Sequence, residues 1–554
     1  MRPIQSVFRK HLVIILLIPL MGVSAGAQDA QLGKVEFQTS GSTEAHAHFL
    51  RGLAALHSFW YEEALEAFRE STKTDPDFMM GYWGEAMAHN HPLWGEQDTS
   101  AAREVIAKIK DTPKLSVRER AYLNAVKLLY GEGSKRERDA AYSAVMEKIY
   151  ADYAGDLDAA AFYSLSLLGQ VRSEDKNYRL QARAGAIALD VYEKNPNHPG
   201  AAHYIIHAFD DPDHAILALP AARRYAGIAP EAHHARHMPS HIFLQLGMWP
   251  EAAASNESAW EVSDAWMKRK NLSPGVRDYH SLHWLLYVYL QQGRYRKAEE
   301  LLSLMKKTMS ETAYENKLRP GYYENNYANM AAAYVVETER WNLATTFFPA
   351  TDSQSAAGGA MASSHGHGGS QPVAGAALET VRTSDRSQRL PVLIRSWAAA
   401  LNETVGKAAA NDPVSGSGGD APGIGQLEVA AVAAATKGEH AKAASLMKEA
   451  VSLEEKLGPP SGPPSLIKPP QELFGELLLR AGKPAEAAEQ FKASLLRQPN
   501  RARSLLGSAR AAAKVGDSVG AKAAYSKFLA QWSQADPDLP ELREARDYLD
   551  KAKP

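Results

Sequence analysis

The chain has 554 residues, too many for one compact core, so we expect several domains or an array of repeats. It carries 62 Lys and Arg against 64 Asp and Glu, and the resulting net charge of -2 gives no reason to expect nucleic acid or an anionic membrane as a partner. The absence of cysteine excludes disulfides, thiolate metal sites, cysteine nucleophiles and lipoprotein anchoring. Any bound metal must therefore use His, Asp, Glu or Met.

The first 27 residues have the layout of a secretory signal peptide. A basic start, MRPIQSVFRKH, precedes the apolar run LVIILLIPLMGVSA, which ends in small residues. We expect cleavage after Ala25 or Ala27 and an exported protein, periplasmic or secreted, from a bacterial source. The alternative is an uncleaved N-terminal anchor, and no later segment is apolar enough to cross a bilayer.

Residues 47–77 contain two amphipathic helical patterns joined by a short break. Gly52, Ala64, Phe68 and Pro76 occupy the eighth, twentieth, twenty-fourth and thirty-second places of a 34-residue unit. This pattern resembles the tetratricopeptide repeat, in which small residues allow two helices to cross closely and proline ends the second helix. The resemblance, which extends to bacterial secreted proteins of this class, implies an all-α solenoid of antiparallel helix pairs.

Composition divides the chain into segments. We predict an N-terminal repeat block over 43–349, a mobile Gly-, Ala- and Ser-rich insertion over 350–387, a helix with a loose linker over 388–423, and a C-terminal repeat block over 424–551. No segment reads as a strand.

Two histidine pairs recur in register. HYIIH places His203 and His207 four residues apart, HMPSH does the same for His237 and His241, and the offset from 203 to 237 is 34. Residues four apart share one face of a helix. In the tetratricopeptide family the fifth and ninth places of the first helix face the concave groove, and the resemblance implies that all four histidines lie there.

Four imidazoles from neighbouring helices predict a metal site. We expect one ion, zinc, copper or iron, held by His203, His207, His237 and His241. Asp210 and His283 are further candidate ligands, and Asp210 could instead orient a ring from outside the first shell. A helix displaced by Pro239 would carry only His241 and would spoil this geometry.

The groove also predicts a protein or peptide partner, as the repeat class implies. The residues expected to contact it are Trp83, Asp211, His234, His280 and Asn329. Two alternatives to the metal site follow, in which the histidines contact this partner or only form internal hydrogen bonds.

Motifs of known enzymes are absent from the sequence. It contains no HExxH, GxSxG, Walker or Rossmann pattern. We therefore expect a binding or scaffold protein. The alternative is a metal-dependent hydrolase or oxygenase that uses the groove histidines.

Overall fold

A computed structural model describes residues 31–172, 177–311, 321–349, 390–401, 423–458, 460–464 and 468–551. The predicted signal peptide 1–27, the insertion 350–387 and most of the linker 388–423 lie outside these residues.

Helices dominate the first part of the described chain. They are α1 Thr43–His57, α2 Tyr61–Thr74, α3 Met79–Ala88, α4 Thr99–Ile106, α5 Val117–Leu129, α6 Lys135–Asp152, α7 Leu157–Leu168, α8 Arg179–Lys194, α9 Pro199–Ala208, α10 Ala215–Ile228, α11 His233–His237, α12 Pro239–Gln245, α13 Trp249–Lys270, α14 Tyr279–Gln291, α15 Tyr295–Glu311, α16 Tyr322–Thr338 and α17 Ala344–Phe347. Short 3-10 turns occur at Pro274–Val276 and Trp341–Leu343.

Residues 390–401 are helical and are named α18. The helices of the C-terminal part are α19 Ile424–Thr436, α20 His440–Glu454, α21 Pro470–Arg480, α22 Pro484–Arg497, α23 Ala502–Val515, α24 Ser518–Gln531 and α25 Pro540–Lys551.

One small hairpin corrects the expectation that the chain has no strand. β1 Asn90–His91 pairs antiparallel with β2 Glu96–Gln97, between α3 and α4. Side chains reinforce the pairing, since Gln97 Nε2 donates to Asn90 Oδ1 at 3.0 Å and His91 Nδ1 lies 3.1 Å from a Glu96 oxygen. The turn is too short and too polar to show the alternating pattern that identifies longer strands.

Several helices begin where the sequence supplies a capping side chain. Ser116 and Glu119 form a reciprocal capping box at the start of α5, and Ser134 and Glu137 do the same for α6. At α14, Asp278 accepts a hydrogen bond from the amide of Ser281. These caps satisfy amides that would otherwise lack a partner.

Consecutive helices pack through glycine against an aromatic ring. A Cβ atom placed on Gly52 of α1 would lie 2.8 Å from the ring of Phe68 in α2, and one on Gly84 of α3 only 2.2 Å from it. Only glycine allows so close an approach of the three helices. The repeat pattern predicted this contact, and the fold class, an all-α tetratricopeptide-type solenoid, is confirmed.

The first helix of one repeat is broken. α11 ends at His237 and α12 begins at Pro239, with Met238 between them in helical conformation. Proline cannot donate its backbone hydrogen bond within a continuous helix, so it starts a new one.

The C-terminal part packs directly on the N-terminal part. Trp249 Nε1 donates to the carbonyl of Asn500 at 2.8 Å, and Asn500 Nδ2 donates to the carbonyl of Gly247 at 3.1 Å. Gly247 has φ +65 and meets the backbone of Pro499, so a side chain there would be both strained and blocked. A continuous apolar core includes residues of both parts.

A buried arginine joins the same two parts. Arg501, fully enclosed, donates Nε to Glu472 at 2.8 Å and Nη1 to Tyr287 Oη at 2.8 Å, and it also pairs with Glu337. Ser504 Oγ donates to Glu472 at 2.6 Å. We call these residues the Arg501 network; every charge in it has an opposite charge beside it.

Among the described helices, none combines the length and apolar character needed to cross a bilayer.

Candidate metal centre

Histidines from four helices gather in the groove of the N-terminal part. They form two sets of three, in each of which the potential ligand atoms lie within 4.8 Å of one another. We name His203, His207 and His234 triad A, and His237, His241 and His280 triad B. α9 and α11 carry triad A, while α11, α12 and α14 carry triad B.

Triad A is built around one helical turn of α9. The Nε2 atoms of His203 and His207 are 3.0 Å apart. His203 Nδ1 donates to the backbone carbonyl of His57 at 2.7 Å, which fixes the orientation of the ring. His234 completes the triad, and its Nε2 is buried with no hydrogen-bond partner among the described residues.

Triad B spans the break between α11 and α12. The Nε2 atoms of His237 and His241 lie 3.1 Å apart, and the ring of His280 is 4.7 Å from that of His237. The break at Pro239 therefore keeps both histidines on one side. The expectation that a displaced helix would carry only His241 holds for α12 alone, because α11 supplies His237.

The partners of triad B determine where the ring protons lie. His241 Nδ1 meets Asp210 Oδ2 at 2.6 Å, and His237 Nδ1 meets Asn256 Oδ1 at 2.6 Å. The Asn256 amide is oriented by its Nδ2, which donates to the carbonyl of Ala252 at 2.8 Å. Because both partner atoms are acceptors, both Nδ1 atoms must donate, and a neutral ring then has a bare Nε2. With both rings neutral, their Nε2 lone pairs face each other at 3.1 Å, whereas a proton on either Nε2 would make this contact a hydrogen bond.

Burial favours the neutral form of four of these rings. Removal from water lowers the pKa of His203 to about 3; the hydrogen bond to the His57 carbonyl opposes this shift, and the nearby imidazoles add to it. Burial, with repulsion from His241, lowers the pKa of His237 to about 3. Burial also lowers the pKa of His207 and of His234 well below the ordinary value for histidine. Neutral imidazole is the form that binds metal.

Aromatic rings enclose the triads. Phe59, in the turn between α1 and α2, has its ring 4.3 Å from that of His203 and 5.7 Å from that of His234. Its φ of +53 is uncommon for a bulky residue. Trp284 closes the other side, with its ring 4.1 Å from His241. Both aromatic side chains are buried.

The described histidines are grouped differently from the predicted set of four around one ion. The two pairs do lie on neighbouring helices, but each pair faces its own third histidine, and the rings of His207 and His241 are 5.9 Å apart. Asp210 takes the orienting role, since it bonds the far nitrogen of His241 and also accepts from Gln245 Nε2 at 3.1 Å.

The two histidines of α14 differ in their relation to triad B. In α14 the residues one full turn apart, His280 and Trp284, both face triad B. His283 lines a cavity together with His280 and Trp284. His280, predicted as a partner contact, belongs to the group of potential ligands, while His283 does not belong to that group, and its role as a ligand stays a prediction.

The other predicted partner contacts do not form an open surface. Trp83 is fully buried, with its ring 6.0 Å from Phe37 and 5.6 Å from Tyr122. Asp211 is buried and accepts from His214, whose Nδ1 is 2.8 Å away. Asn329 donates to the carbonyl of Asn325 at 2.8 Å. These positions correct the prediction for Trp83 and Asp211, because packing and local hydrogen bonds already use their side chains.

A third polar cluster was not predicted. His57 Nε2 lies 2.9 Å from Asp158 Oδ1, and His198 Nε2 lies 3.4 Å from the same oxygen, all three side chains being fully buried. Burial would raise the pKa of Asp158, but hydrogen bonds and charge from the two histidines outweigh it and lower this pKa. The residues come from α1, α7 and the cap of α9, so no spacing in the sequence connects them.

A cavity of about 340 Å³ lies beside triad B. It is bounded by His280, His283 and Trp284 on one side and by residues 460–464 and Arg497 on the other. The C-terminal part thus closes the site, since Gln245 Nε2 also donates to the carbonyl of Pro460 at 2.6 Å.

No protein-family description matches this sequence, and no curated protein is similar to it. Solved structures align with nearly the whole chain at low identity. The Cut9-Hcn1 hetero-tetramer of APC/C covers 94% of this chain and 79% of that chain at 11% identity, with a TM-score of 0.33. Yeast Tom70 covers 92% and 89% at 10% identity, with a TM-score of 0.23.

A human IFIT1 dimer with m7Gppp-AAAA covers 93% of this chain and 90% of that chain at 12% identity, with a TM-score of 0.32. At these identities and TM-scores the alignments say nothing about the ligand or partner of this chain.

Proposed function

We propose that this chain is an exported repeat protein that binds a transition-metal ion through the histidines of its groove. The observation that carries the proposal is the approach of the Nε2 atoms of His237 and His241 to 3.1 Å, with both Nδ1 atoms committed as donors. Two acceptors at this distance repel each other unless a cation lies between them. Export rests on the pattern of residues 1–27 alone.

The donor set suits a borderline transition metal. Imidazole nitrogen is a good ligand for zinc, copper and iron, and the chain has no thiolate to compete. Carboxylate and amide partners on the far nitrogens of His241 and His237 are the arrangement that fixes and strengthens histidine ligands. Three histidines around one ion leave a coordination position open.

Elemental analysis tests this proposal. The mature chain, purified without an affinity tag, should contain zinc, copper or iron in stoichiometric amount. His241→Ala should lower the metal content several-fold. The matched control is His440→Ala, at an exposed position of α20, which should leave the metal content unchanged.

The competing explanation is a proton shared between the two rings. It predicts a metal-free protein whose melting temperature does not rise when zinc, copper or iron is added near neutral pH. That result would remove the metal proposal, because a ligand bound only by the folded state must stabilise it.

The second candidate function is a metal-dependent hydrolase or oxygenase. It is favoured by the cavity of about 340 Å³ beside His280, which would admit a small molecule to the open coordination position. The test is turnover of ester, phosphate and oxidisable substrates by the metal-loaded protein. Activity that is lost in both the metal-free protein and His241→Ala would support this function.

The protein or peptide partner expected of the repeat class needs a different surface. His203 and His237 are fully buried, so a partner cannot reach them in this structure. Capture of a specific exported protein that survives His241→Ala would support a scaffold role separate from the metal.

A further inference from the structure

We infer that the groove holds two neighbouring transition-metal ions, and that triad B binds its ion before triad A does. This inference rests on the proposed metal function and adds the number of ions, their ligands and their order. The first supporting observation is the division of six histidines into two sets of three.

Each triad is complete without the other. Within a triad the three potential ligand atoms lie within 4.8 Å of one another, close enough to surround one ion after small rotations of the rings. Between the triads the nearest measured ring separations are 5.9 Å, from His207 to His241, and 6.0 Å, from His234 to His237. The two sites are therefore neighbours that share no ligand.

In triad A, ring nitrogens are left available for a ligand, as they are in triad B. In triad A, His203 Nδ1 donates to the carbonyl of His57, so its Nε2 is left bare and faces His207. His234 is 7% exposed, and its Nε2 has no hydrogen-bond partner in the described part of the chain. A buried ring nitrogen without a partner is costly unless a ligand uses it.

The charges around the triads differ. The carboxylate of Asp210 bonds His241 directly in triad B, and the charge of Asp278 acts on His237 and His280. For triad A, no carboxylate bonds a ring of the triad within the described ranges; the ring of His203 is held by a neutral carbonyl. A carboxylate on the far nitrogen makes imidazole a stronger donor and offsets part of the charge of the ion.

The order of binding follows from these charges. An ion in triad B gains the stronger ligands and the nearby negative charge. A second dication must then enter triad A against the repulsion of the first, in a buried region that screens charge poorly. Triad A should therefore bind its ion more weakly than triad B.

Titration of the full mature chain, after removal of metal with a chelator, tests the inference. Calorimetry with Zn²⁺, and visible absorption with Co²⁺, should show two equivalents bound in two steps. His280→Ala should abolish the tight step and retain one weak equivalent. His234→Ala should abolish the weak step and leave the tight step within about two-fold of its original affinity, while circular dichroism checks that both variants remain helical.

A measurement on the unaltered chain gives an independent readout. With one equivalent of Cu²⁺ the electron paramagnetic resonance spectrum should be that of an isolated ion, and with two equivalents the spectrum should broaden or lose intensity through coupling of close neighbours. Two ions without any coupling would overturn their proximity.

The possible failures are distinguishable. One equivalent that is lost in both variants would mean a single shared ion, which overturns this inference and leaves the metal function intact. Two equivalents filled in the reverse order would overturn the role of Asp210. No binding of any of these ions would overturn the metal function itself.

Discussion

The Arg501 network and triad B are both buried and polar, yet they differ in how hydrogen-bond donors and acceptors are paired. Around Arg501, donors meet acceptors, since the guanidinium contacts Glu472, Glu337 and Tyr287. In triad B, two ring nitrogens meet at 3.1 Å, and with both rings neutral both are acceptors. A cluster of matched donors and acceptors needs no ligand, whereas the proposed metal function places a cation between the two nitrogens of triad B.

The largest effect should come from breaking the matched cluster. Arg501→Met leaves Glu337 buried without its counter-charge and leaves Glu472 with Lys468 alone, and we expect it to lower the free energy of unfolding by about 3 to 5 kcal/mol. Urea denaturation measures this change.

The matched control is Arg510→Met. Arg510 pairs with Glu544 at 2.6 Å, and both side chains are partly exposed, so the loss should stay within about 1 kcal/mol. Equal losses in the two variants would contradict the structural role of Arg501.

The second effect concerns acid. Burial would raise the pKa of Glu472, but the positive charges of Arg501 and Lys468 outweigh burial and lower it to about 2. The folded pKa is thus below the unfolded value of about 4.3, so this carboxylate stabilises the fold above that pH. The stabilisation, on the order of 3 kcal/mol, should be lost as pH falls from about 4.3 to about 2.

Urea denaturation of the metal-free protein between about pH 2 and about pH 7 checks this dependence. Glu472→Gln should flatten the acid limb of the curve. If the variant and the parent chain lose stability in parallel, another group controls the response to acid.

The third effect concerns the contribution of the Asp210 charge to metal affinity in triad B. Asp210→Asn keeps an acceptor for His241 Nδ1 but removes the negative charge, so metal affinity should fall about 10- to 100-fold with the fold retained. Competition with a chelating dye measures the affinity. Asp213→Asn, at an exposed neighbouring position, is the control, and an equal fall in both variants would show a general effect of charge.

The smallest effect is expected for His283, and it distinguishes the contributions of His280 and His283 to zinc affinity. His283→Ala should change zinc affinity by less than about two-fold, because His280 and not His283 belongs to the group of ligand atoms in triad B. The same dye competition applies. A loss as large as that of His280→Ala would support His283 as a ligand.

Sequence periodicity predicted the fold and the gathering of the histidines. Gly52 against Phe68 is a local contact at fixed spacing, so the repeat pattern contains it. The 34-residue offset likewise brings His203 and His237 to neighbouring helices, because each repeat adds one step to the same stack.

The division into two triads could not be read from the spacing. It depends on how α12 restarts after Pro239 and on which face of α14 meets it, and both are set by packing between helices. The orienting partner Asn256 lies on the following helix, where its role depends on a single side-chain contact. His57, Asp158 and His198 come from three separate helices or caps and carry no joint pattern.

Phe59 links the backbone of one turn to the surroundings of triad A. Its left-handed φ of +53 costs roughly 1 to 3 kcal/mol, which glycine would avoid at this position. Glycine would also remove the ring that keeps water from one side of triad A. Water near a bound ion raises the local dielectric and shifts its reduction potential. Under the proposed metal function, the residue at position 59 would therefore affect both the strain of the turn and the reduction potential of a redox-active ion in triad A.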